Sequence, residues 1–187
     1  MPRPYFRRAI TAACLGLLAA LTGCEPGSTA EPPPSTSPDP EASAAGEASA
    51  IAGAEATASR FVRLTDAAFT ELLVPEELGE IATPEIVSNI VAEVESYVDR
   101  GYRLEGESQL LAVHATSIEM TSAEDALVSL TGCLDTSENR VVDGAGDPVT
   151  GGDVEVRVVT FEIRWRGGAG TVFATEFPED GAVSCAP

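Results

Sequence analysis

The sequence predicts an α+β fold, with N-terminal helices packed on an antiparallel sheet. Three observations point there. Apolar residues between about Ile51 and Gly101 recur at three- and four-residue steps, the period of an amphipathic helix. From Leu110 onward the period drops toward two, as strands require. Helices first and strands afterwards, separated by Gly- and Pro-bearing turns, segregate into layers of an α+β domain rather than alternating units of a parallel sheet.

The first 23 residues read as a leader. MPRPYFRR is basic, and Ala9 to Leu21 is uncharged and mostly Ala and Leu. That run suits a signal-peptide core and is too short to span a bilayer. It ends in Leu21-Thr22-Gly23-Cys24, which resembles the lipobox of bacterial lipoproteins. In that motif small residues let a peptidase grip the extended chain, and the cysteine thiol accepts a diacylglyceryl group. Cys24 is therefore the expected lipidation site, and the expected address is the extracytoplasmic face of a cell membrane. Two acyl chains give lasting anchorage where one gives only reversible binding. The Arg7-Arg8 pair suits either the general or the twin-arginine export route.

Residues 24–50 hold Cys24 and a segment rich in Pro, Ser, Ala, Gly and Glu without apolar periodicity. Such a composition cannot offset the entropy of ordering, so a disordered tether is expected there. The domain proper is expected over residues 51–187. Its first helix carries Ala54, Ala58, Phe61, Thr65, Ala68, Phe69 and Leu72 on one stripe, stopped by Pro75. A short piece, Glu76 to Ala82, leads to Thr83-Pro84-Glu85, where a Thr N-cap, Pro at the first position and an acid near the positive dipole end announce a second helix. Ile86, Ile90, Val94, Tyr97 and Val98 mark its buried face, and Gly101 its end.

Leu110 to Met120 and Ala126 to Asp135 are expected strands around the turn Thr121 to Glu124. Asp153 to Arg166 reads as a long strand whose apolar face switches between Val158 and Val159, the pattern of a bulge. After the turn Arg166 to Gly170, Phe173 and Phe177 line one face of a further strand, and Val183 to Cys185 suggests a last short one.

Cys133 and Cys185 are the cysteines left in the domain. In an oxidising compartment two thiols permit one internal bridge, and two buried free thiols or a two-ligand metal site are the alternatives. Two sulfurs with the lone histidine are too few ligands for structural zinc, which favours a Cys133–Cys185 disulfide.

Composition narrows the partners. The chain holds 30 acidic and 11 basic residues, for a formal charge of -19, and three of the arginines lie in the leader. Nucleic acid would be repelled, and so would anionic headgroups, leaving the lipid on Cys24 as the means of meeting the bilayer. Because 44% of residues are hydrophobic, a true core is expected rather than an acidic disordered coil.

With helices, strands and cysteines laid out, the region from about Ala52 to Cys185 resembles actinobacterial lipoproteins of the nuclear-transport-factor-2-like superfamily. The resemblance rests on the lipobox and tether, Thr83-Pro84-Glu85, Gly101-Tyr102-Arg103-Leu104-Glu105-Gly106, Cys133-Leu134-Asp135, Val141-Val142-Asp143-Gly144 and the C-terminal Cys185. It implies a cone-like, cystatin-like arrangement, in which helices are wrapped by a strongly curved antiparallel sheet around an apolar pocket. In the enzymes of that superfamily, ketosteroid isomerases and polyketide cyclases among them, the pocket holds an Asp, Tyr or His doing acid-base work.

No residue aligns with those catalytic groups, so no catalytic residue, cofactor or metal is assigned. His114, the single histidine, sits mid-strand and would need a carboxylate or tyrosine beside it to act as a base. Asp143-Gly144-Ala145-Gly146-Asp147 lacks the spacing and closing Glu of a calcium loop and reads as a turn. The arginines flanking Trp165 suit a charged solvent face. The expected function is a non-enzymatic binding or interaction module at the cell envelope, meeting an apolar small ligand or an envelope protein. The alternative is a small isomerase- or cyclase-like enzyme of the same fold. One short domain cannot form the two closing lobes of a solute-binding protein.

Overall fold

The computed structural model describes residues 40–149, 156–178 and 185. Helices pack against antiparallel strands, so the fold is α+β. In chain order the elements are α1 (Pro40–Glu71), α2 (Leu78–Ile81), α3 (Pro84–Arg100), β1 (Arg103–Glu105), β2 (Gln109–Ser122), β3 (Asp125–Asp135), β4 (Arg140–Val142), β5 (Val156–Arg166) and β6 (Ala169–Glu176).

The first helix begins at Pro40, well before the Ile51 expected from periodicity, so residues 40–50 are helix and not tether. The physical reason is propensity. After Pro40, itself suited to a helix start, the segment is mostly Ala, Glu and Ser with no further proline. Once the downstream turns dock, adding turns toward the N-terminus is cheap, because the helix nucleus already exists. The extension also packs: Ala50 is fully buried, and a methyl on Gly46 would stand 3.3 Å from the carbonyl oxygen of Ala123 in the β2–β3 turn. At its other end α1 stops where Leu72 turns left-handed (φ 56°), and the Leu73 N–H bonds back to the Ala68 carbonyl.

Small residues let α1 lie close to the sheet. Ala54, Ala58 and Ala68 are fully buried. Gly53 leaves room for the Trp165 indole, and Gly170 passes against the Thr57 side chain, where any Cβ would collide. The second long helix starts at Thr83 as the sequence indicates, but the Thr83 hydroxyl makes no cap bond. Its backbone N–H bonds instead to the Val172 carbonyl, stitching the start of α3 to the edge of β6. Gly101 (φ 70°) closes α3 in the left-handed conformation that favours glycine. Ile90 and Val94 are buried, whereas Val98 ends up exposed.

One sheet runs in the order β2-β3-β5-β6, antiparallel throughout. The chain leaves it between β3 and β5 to form β4, which pairs with β1 in a separate two-stranded sheet. The inner face presents Val128, Leu130, Val159, Phe161, Ile163 and Val172 to the helices, all nearly inaccessible.

The bulges lie elsewhere than the pattern suggests. β5 keeps unbroken register with β3 from Asp125↔Arg166 to Asp135↔Val156. Its apparent slip arises because Val156 and Val158 sit on the outer face, and Val158 is covered only in part beside Cys133. The extra residues are on the edges. β2 spends 14 residues opposite the 11 of β3, with register shifts at three places, and Ala112 takes φ 50° at the first of them. Another shift falls at Phe173 in β6. Extra residues on an edge strand bend and twist it over its neighbour. Gly132 sits beneath the first β2 bulge, where a methyl would press on Val113, Leu110 and the Leu111 carbonyl at 3.2–3.3 Å.

Phe173 and Phe177 do not share a strand face: Phe173 occupies the bulge, and Phe177 follows the end of β6. A last strand near Val183 falls outside the described residues. Cys133 is bonded to Cys185 (S–S 2.07 Å) across a separation of 52 residues, on the outer side of β3.

Candidate functional site

Between α1, α3 and the β3–β5 end of the inner face, the packing is incomplete. β3 and β5 place Leu134 and Arg157 opposite each other there, on the same inward-pointing face. The gap forms a cavity in two adjoining compartments of about 770 Å³ and 260 Å³. Thr65, Asp66, Glu93, Ser108, Leu134 and Phe177 line both. The smaller compartment is closed by Phe61, Ile86, Ile90, Val159 and Phe161, and is chiefly apolar. The larger is bordered by Phe69 and Tyr97, whose rings meet edge-on at 4.9 Å, and by Leu104, Asn139, Arg140 and Arg157.

The polar centre is Asp66, on the inward side of α1 one residue after Thr65. Its carboxylate accepts the Ser108 backbone N–H at 2.6 Å and the Ser108 hydroxyl at 2.8 Å. A carboxylate can only accept, so the Ser108 hydroxyl proton is fixed toward Asp66. Ser108 Oγ must then accept from Asn139 Nδ2, which stands 2.8 Å away. The direction of this chain leaves Asn139 Oδ1 buried and without a partner among the described residues. Burial pushes the Asp66 carboxyl above the ordinary range, and Glu107 adds to this; the two Ser108 bonds oppose it. Burial and the nearby Glu93 carboxylate likewise raise the Tyr97 phenol, against the pull of Arg100.

The cations at this site are engaged. Arg140 bonds Glu105 at 2.9 Å, part of a pair of arginines on that carboxylate with Arg103. Arg157 stacks its guanidinium 4.0 Å from the Phe177 ring centroid at the rim.

The residues singled out from sequence lie away from this cavity. His114 is exposed on β2, with Nδ1 3.1 Å from the Ala112 carbonyl oxygen. Asp143 turns its carboxylate onto the N–H groups of Ala145 and Asp147, as an ordinary turn does. Arg164 and Arg166 converge on Asp125 on the outer face of the sheet. Cys24 lies outside the described residues. Conversely, Asp66, Ser108 and Asn139 drew no notice in sequence. The available sign was an acid placed directly on the border of an apolar stripe, next to Thr65.

Fold and cavity together define an α+β domain with a cleft between its helices and the inner face of an antiparallel sheet. No family model matches the sequence, and no curated protein matches it. Among solved structures, the chain is similar to the crystal structure of the intermembrane space region of the chloroplast protein ARC6. That match has 16% identity, covers 68% of this chain and 95% of that one, and has a TM-score of 0.50. It speaks for the fold alone. A de novo designed β-sheet protein solved by NMR overlaps at 14% identity over 78% of this chain and 95% of that one, with a TM-score of 0.29.

Proposed function

We propose that this protein is an envelope lipoprotein held at the extracytoplasmic face of the membrane by acylated Cys24, whose domain binds a small, largely apolar ligand in the cavity over β3 and β5. The observation that carries the reading is the cavity itself. An apolar compartment opens onto a few fixed polar groups around Asp66, the usual make-up of a small-molecule site. The resemblance to nuclear-transport-factor-2-like lipoproteins agrees with it, since that fold is built around such a pocket. Native mass spectrometry of protein extracted from its own membranes tests the proposal. A bound small molecule is expected, and it is expected to vanish when Thr175→Trp fills the smaller compartment. A bare protein mass, with no apolar compound recovered in solvent extracts, refutes it.

One observation favours the enzymatic alternative, an isomerase- or cyclase-like activity. Asp66, with raised proton affinity, and Tyr97 line the same compartment, and a carboxylate with a neighbouring phenol is a workable acid-base set. Exchange of α-protons in bound ketones, abolished in Asp66→Asn while binding persists, is the result that would select this reading.

A further inference from the structure

The donors next to Asp66 are engaged, while Asn89 and Thr175 add neutral polar groups to the smaller compartment. Both Ser108 donors point at Asp66, one Asn139 amide N–H serves Ser108, and the Thr65 hydroxyl donates to the Phe61 carbonyl at 2.9 Å. Two acceptors face the space: the Asp66 carboxylate, which meets only neutral donors, and Glu93, which is in no ion pair among the described residues.

The distribution of charge sharpens this. Asp66 and Glu93 line both compartments, whereas Arg140 and Arg157 line only the larger one. Arg140 shares the Glu105 carboxylate with Arg103, so that cluster keeps its net positive charge on the side of the larger compartment, and Arg157 is held against Phe177 at the exposed rim. Among the described residues, the charges bordering the smaller, apolar compartment are thus both negative. A carboxylate or phosphate entering there would face two like charges in a partly desolvated space, which is strongly unfavourable. A neutral apolar molecule would displace water from the two carboxylates without offering a counter-charge.

We propose that the cavity selects organic ammonium ions, with the ammonium between Asp66 and Glu93 and the hydrocarbon body against Phe61, Val159 and Phe161. This rests on the binding function proposed above and names its ligand class. A primary ammonium brings a positive charge and three N–H donors, which the two carboxylates can share. Aromatic rings at the compartment wall favour a cation as well, through their negative faces. A cation beside Asp66 would offset the burial that raises its proton affinity.

The test uses three probes of one carbon skeleton, hexylammonium, hexanol and hexanoate, titrated calorimetrically into the purified full chain with its disulfide intact. Hexylammonium is expected to bind at least tenfold more tightly than either of the others. Glu93→Gln is expected to cut that preference about tenfold without harming the fold, since Glu93 is on the helix surface and its side chain makes no hydrogen bond among the described residues. Asp66→Asn should cut it further. Glu119→Gln, which removes the same charge from β2, should leave it unchanged. An equal loss in Glu119→Gln would mean diffuse attraction to an acidic protein and overturns the proposal. Equal binding of hexanol, or tighter binding of hexanoate, also overturns it while the cavity stands as a binding site. Failure of all three probes to bind overturns both readings.

Discussion

The disulfide gives the prediction whose size follows most directly from the structure. Replacing Cys133 and Cys185 together by alanine removes the link without leaving a thiol or a buried hydroxyl. Cys133 is nearly inaccessible, which is why serine would confuse the result by adding an unsatisfied polar group. The bond spans 52 residues. Closing a loop of that length in the unfolded chain carries an entropy cost worth about 4 kcal/mol at 25 °C. Measured values scatter below such figures, so a loss of roughly 2–4 kcal/mol is expected. For a chain of this size it corresponds to about 3 °C of melting temperature per kcal/mol, or roughly 10 °C in all. Urea unfolding followed by far-ultraviolet circular dichroism measures it. The dependence on urea should steepen in the variant, because an unlinked denatured chain expands and exposes more surface. The native state should keep its near-ultraviolet spectrum, since β3 is held to β5 by unbroken register along its whole length. A loss below about 1 kcal/mol would refute the reasoning. So would two reactive thiols in the domain when the unreduced protein is unfolded.

Three further outcomes follow. Gly170→Ala should cost roughly 1–3 kcal/mol in urea unfolding, because its methyl would overlap the Thr57 side chain; Thr57→Ala in the same chain should recover much of the loss, and simple additivity would show the close approach to be irrelevant. Asp66 should work against the usual acid sensitivity of carboxylates. Its folded proton affinity is raised above the unfolded value, so its contribution is most favourable below the unfolded pKa and is lost as pH rises through the folded one. The stability of the wild type relative to Asp66→Asn should accordingly improve as pH is lowered from 7 toward 4, and a decline would show that the Ser108 bonds outweigh burial. Finally, Cys24→Ser should move the protein from the detergent phase to the aqueous phase or leave the leader uncut; unchanged membrane retention with an unchanged mass would remove the proposed anchor.

The α+β class, the second helix with its Thr83 start and Gly101 end, and the β2–β3 hairpin were legible because local chemistry dictates them. Apolar period, proline and glycine act over a few residues, whatever the rest of the chain does. The start of α1 was not legible for the opposite reason. An Ala-rich run adjoining a Pro-rich one has no stripe of its own, and it becomes helix by growing from a docked segment. The bulges were misplaced because a change of apolar face marks which side is covered, and coverage depends on what packs there. On β5 it registers the outer face near Cys133, not an inserted residue.

The layering of helices on a sheet, the acidic surface and the pairing options of two domain cysteines follow from periodicity, charge and count along the chain. Where the cavity lies and what faces it depend on how distant segments pack. Asp66, Ser108 and Asn139 come from three separate parts of the chain, and their shared hydrogen bonds exist only once α1 has been laid across the sheet. Such a cluster has no spacing to read, because distance along the chain carries no information about groups that folding brings together.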